Sequence, residues 1–83
     1  MAIERKYGRV TTERGTIGED EPVVVFRAQD ALLPELLAMY LHICHTAGSP
    51  QHHLDGIKKT IVEVEAWQAK NFTKIPTSDS WRP

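Results

Sequence analysis

The chain has a single cysteine among 83 residues, so no internal disulfide can form and that route to stabilising a small domain is closed. Aromatic residues are few, at 7%. No apolar run approaches the ~18 to 20 residues of a membrane span, and the opening MAIERKYGRV lacks the apolar core of a signal peptide, so neither insertion nor secretion is expected. A free thiol in such a chain fits a reducing, cytoplasmic setting. Charge of one sign is also missing. Ten Lys and Arg against eleven Asp and Glu leave a net charge of −1, which argues against broad electrostatic attraction to duplex nucleic acid. Phosphate-loop glycines, a dinucleotide fingerprint and a nucleophile elbow are all absent, and no catalytic set can be assembled, so the chain reads as a non-enzyme without a cofactor.

What is present centres on Pro34 to Ala47, PELLAMYLHICHTA. On a helix, Glu35, His42, His45 and Ser49, with small Ala38, form one narrow stripe, and apolar side chains cover most of the remaining circumference. A monomer normally buries a stripe roughly 100° wide and leaves the opposite face polar. An 83-residue chain has little else to cover so apolar a helix, and a second copy is the economical cover. Leu36, Met39, Tyr40, Ile43 and Trp67 are the candidate oligomer-interface residues.

The expected architecture is α+β. An N-terminal two-stranded β-hairpin, with strands about 3–12 and 22–28, packs on an antiparallel two-helix hairpin, with helices about 34–47 and 50–70. The first strand rests on loose alternation of Ile3, Tyr7 and Val10 with basic residues. The second rests on Val23-Val24-Val25-Phe26 after Pro22, the pattern of a buried strand. Asp30 suits a cap for a first short turn, Pro34 the first turn of the main helix, and Gly48 its left-handed end. Ser49-Pro50 restarts a helix at once, and Leu54, Ile57, Ile61 and Val64 give that helix one apolar face. A strand over Thr60 to Glu65 competes, but no turn signal separates it from its flanks. Residues 1–71 read as one domain and 72–83 as an extended arm, with Phe72, Ile75 and Trp81 able to anchor on a groove.

Two constellations bear on chemistry. His42, Cys44, His45, His52 and His53 cluster at the helical turn, where a zinc site is conceivable. Cys44 lies on another face from His42 and His45, however, and adjacent histidines diverge on a helix, so solvated histidines and no metal are the expectation. The second constellation is a binding site for a small anionic ligand. Tyr7 offers an aromatic face, Arg9 and Arg27 come near each other if the strands pair, and Lys58 lies on the second helix. The plainer reading is that basic residues keep an exposed sheet edge soluble.

The stretch Gly18-Glu19-Asp20-Glu21-Pro22-Val23-Val24-Val25-Phe26-Arg27-Ala28-Gln29-Asp30, with Ala66-Trp67-Gln68 further on, resembles a family of short accessory proteins of tailed phages and prophages. In that family an acidic Asp-Glu-Pro lead enters a hydrophobic strand closed by Arg-Ala-Gln-Asp or Arg-Gly-Gln-Asp, and a two-helix segment ends near Ala-Trp-Gln. The resemblance spans about Gly15 to Asn71 and departs at Gly18, where proline is commoner, and after Asp30, where no lysine follows. It implies a phage origin and a host-cytoplasmic protein. In outline such proteins are similar to the oligomeric sponges of Thoeris and CBASS immunity, which sequester cyclic nucleotides without cleaving them. On that analogy Tyr7 stacks a base while Arg9, Arg27 and Lys58 hold phosphate across a subunit boundary. The alternative is a protein-interaction module, an inhibitor or assembly factor, docking on a host or virion protein through the apolar helix or the arm.

Overall fold

The computed structural model describes residues 2–4 and 7–76, with side chains described from Tyr7 onward. It is α+β, with three short strands followed by two helices: β1 (Ala2–Glu4), β2 (Gly8–Val10), β3 (Pro22–Val23), α1 (Leu33–Ala47) and α2 (Gln51–Gln68). The chain forms two compact units divided between Phe26 and Arg27. The division falls where Val24 to Arg27 joins neither ladder nor helix.

In the first unit β1 lies between the other two strands, antiparallel to β2 with Ile3 opposite Arg9, and parallel to β3 with Glu4 opposite Val23. The expected strand over 3–12 is therefore two strands. Gly8, at φ 84°, takes a left-handed conformation that a side-chain-bearing residue adopts only at a cost, and it interrupts the run. The spacing of Ile3, Tyr7 and Val10, four and then three, never had the period of two that a continuous strand requires. The second expected strand, 22–28, shrinks to Pro22–Val23, and its partner is β1 in parallel register, so the expected hairpin between 3–12 and 22–28 is replaced by one between β1 and β2. A continuous apolar strand needs cover on both faces, whereas Val24 is 69% exposed and Phe26 is exposed as well.

The second unit is an antiparallel helical hairpin. Its entry is shaped by Asp30, whose Oδ1 accepts the Leu32 N–H at 2.8 Å and whose carbonyl accepts the Leu33 N–H at 3.1 Å. Pro34 falls in the first turn of α1, where its missing N–H removes no helical bond. Gly48, at φ 86°, ends α1; its N–H bonds the His45 carbonyl at 3.2 Å and the Ser49 N–H bonds that of Cys44 at 2.9 Å. Ser49 does not cap α2 as expected. Pro50 occupies the cap position with extended backbone, and no side chain bonds the first turn's N–H groups. The β-branched run Thr60 to Glu65 is helical, and Asn71 closes the helix by donating its Nδ2 to the Trp67 carbonyl at 2.8 Å.

Leu54 and Ile57 of α2 pack with Cys44 of α1, and Leu41 and Ile61 flank that cluster. Leu33 and Val64 are also buried. At ~1.5 to 3 kcal/mol for each large apolar side chain removed from water, this row supplies the hairpin's cohesion. Beyond α2 the chain returns beside the entry to α1: the Lys74 N–H bonds the Gln29 carbonyl and the Ala31 N–H bonds the Lys74 carbonyl, both at 2.9 Å. Phe72 is 98% exposed and Ile75 is exposed, so neither anchors on this chain as the expected arm would; Trp81 lies outside the described residues.

Candidate functional site

Two surfaces of the helical hairpin carry functional potential, and helical spacing explains why they are separate. On α1, Leu33, Leu37, Leu41 and Cys44 recur by four and three and turn toward α2. At 3.6 residues per turn, Leu32, Leu36, Met39, Tyr40 and Ile43 form a neighbouring row roughly 100° wide. All five are exposed, and so is Trp67 of α2. Every residue expected at an oligomer interface is thus solvent-facing in one chain. The flank of α2 beside this row carries His53, Gly56 and Thr60, and the His53 ring meets Tyr40 edge-on at 6.3 Å. A side-chain hydrogen bond with Cys44 raises the Tyr40 phenol above its ordinary value of 10, and charge on the same thiol and desolvation push the same way.

On the other side of the hairpin lies an open groove of about 400 Å³, lined by His42, His45, Gln51 and Lys58 over Leu41 and Leu54. His42 and His45 are three apart on α1, while Gln51, Leu54 and Lys58 are three and four apart on α2, so each set shares one helix face. Gln51 is tied back along its helix, its Nε2 donating to Asp55 Oδ1 at 2.8 Å.

The expected ligand residues are divided between the two units. Tyr7 and Arg9 belong to the first unit, at the start of β2 and opposite Ile3. Arg27 and Lys58 belong to the second, and the groove that Lys58 lines does not include Arg27. Arg27 precedes α1, and its carbonyl accepts the Asp30 N–H at 2.9 Å. The histidines divide as well: His42 and His45 face the groove while His53 stands against Tyr40 on the opposite flank. Among the described residues no group of three or more His, Cys, Asp or Glu could hold a metal ion. Cys44 is a buried, free thiol within the apolar cluster, the setting of a small hydrophobe.

Sequence reasoning passed over two glutamines. Gln51 faces the groove, and its spacing of seven from Lys58 was the available signal. Gln68 donates through Nε2 to the carbonyls of Ala28 and Asp30, each at 2.9 Å. This half-buried contact joins Arg27-Ala28-Gln29-Asp30 to Ala66-Trp67-Gln68, tying the entry of the helical hairpin to its exit. Among the described residues no helix is long and apolar enough to cross a membrane. Comparison of the chain with family models, with curated proteins and with solved structures finds no match.

Proposed function

We propose that this protein acts by self-association, without catalysis, through the exposed apolar row of α1. The observation that carries the reading is that Leu36, Met39, Tyr40 and Ile43 remain solvent-facing although α2 has already packed on the adjoining row. Spacing of three, one and three makes them a continuous apolar seam, and a second copy offers the same seam by symmetry. Gly56 and Thr60, small residues on the adjoining flank of α2, leave room for a helix of the second copy to approach.

The sharper form of the reading is a phage accessory protein whose assembly holds a small anion, a cyclic nucleotide in the most specific case. Its support is the resemblance at residues 18–30 and 66–68 together with the cationic residues Arg9, Arg27 and Lys58. A protein-interaction module is the competing use of the same seam, and the test separates the two. Sedimentation at two concentrations should give a particle heavier than the 9.4 kDa chain, and Met39→Ser/Ile43→Ser should return it to that mass with helix content unchanged. A wild-type monomer at both concentrations would overturn self-association and leave the seam to a different protein.

A further inference from the structure

We propose that the groove between α1 and α2 is a binding site for a small organic phosphate, with His42, His45 and Lys58 as its cationic contacts and Gln51 as a polar one. It rests on the anionic-ligand half of the reading above, but it places the ligand within one chain and within one helical hairpin, and it does not use Tyr7, Arg9 or Arg27.

The lining sets the sign of the ligand. Three side chains that carry or can take up positive charge converge from two helices on a volume of about 400 Å³, and no carboxylate lines it. That volume lies within the usual range of small-molecule sites. Lys58 makes no ion pair with a described residue, so its ammonium is not already committed. The backbone adds little net field here. The groove sits near the link, where the negative end of α1 and the positive end of α2 lie side by side and largely cancel, so the side chains decide the potential.

The same lining sets the ligand's body and charge. Leu41 and Leu54 give the groove an apolar floor, which suits a ligand with a planar or aliphatic part beside its anionic head. A lysine and two imidazoles match a phosphate dianion better than a monoanionic carboxylate, because each phosphate oxygen can take its own donor. The titratable groups that face the groove are His42 and His45 from α1 and Lys58 from α2. Glu35 borders His42 on the outer rim, and Asp55 is held by Gln51, so neither carboxylate enters the lining.

The test is titration of the full chain with inorganic phosphate, adenosine monophosphate and acetate at one fixed pH, following the imidazole C–H resonances of His42 and His45 by NMR. Both phosphates should shift these resonances, and the nucleotide should bind more tightly than phosphate alone. Lys58→Met, which keeps the apolar stem on an exposed position, should weaken binding about tenfold or more, the effect of losing a charge-assisted hydrogen bond. Lys59→Met, at the neighbouring cation outside the lining, should leave it unchanged. Met39→Ser/Ile43→Ser should also leave it unchanged, so a failure of assembly and a failure of the groove are read separately. No shift with either phosphate, equal shifts with acetate, or binding untouched by Lys58→Met would each overturn the proposal.

Discussion

Ile43 and Cys44 are neighbours in the chain and both apolar, yet one is 59% exposed and the other 6%. They head two rows on the same helix, and the difference between the rows is made by α2. Its apolar residues Leu54, Ile57, Ile61 and Val64 are one row wide and cover one row of α1. Beside them α2 carries His53, Gly56 and Thr60, which are polar or too small to cover the second row. Apolar character therefore states what a helix face would bury, while its neighbour's side chains decide whether that burial occurs within the chain.

Substitution on the covered side should have the largest effect. Leu54→Ala removes a side chain buried against Cys44 and Ile57 and should cost about 2 to 5 kcal/mol in urea unfolding, whereas Met39→Ala on the bare row should stay within about 0.5 kcal/mol for the isolated chain. Equal costs at the two positions would break the distinction between the rows. Gly48→Ala comes next. A β-carbon meets nothing within 4 Å there, so the penalty is conformational, about 1 to 2 kcal/mol for a left-handed residue, read as a lower unfolding midpoint.

The smallest effect tests the border between the rows, where Tyr40 reaches Cys44. Folding raises the Tyr40 value, so this contribution to stability is complete below the ordinary phenol range near 10 and is lost as pH rises through the raised value. Stability measured from neutral to strongly alkaline pH should therefore fall less steeply in Tyr40→Phe than in the wild type. Identical profiles would mean that the two side chains do not interact.

Both helices were legible because their signals agree: Pro34 at the start, Gly48 at the stop, and apolar spacings of three and four between Leu54 and Val64. The strands were not. Gly8 divides a run that looked continuous, and Val24 to Phe26 has the composition of a buried strand yet stays exposed, because burial depends on what packs against a segment and cannot be read from its own residues. At the candidate site Lys58 was visible in the sequence. His42 and His45 were read with His52 and His53 as one cluster, because proximity along the chain hides the fact that helix faces part them.

The helical hairpin begins and ends at one place. Gln29 and Ala31 on the way in are hydrogen-bonded to Lys74 on the way out, and Gln68 clasps the Ala28 and Asp30 carbonyls beside them. Such a segment can be spliced into a surface loop of an unrelated host protein with little distortion of either, since its two ends already stand a strand's width apart. The residues of the seam and of the groove all lie between these two ends, within one contiguous stretch of chain.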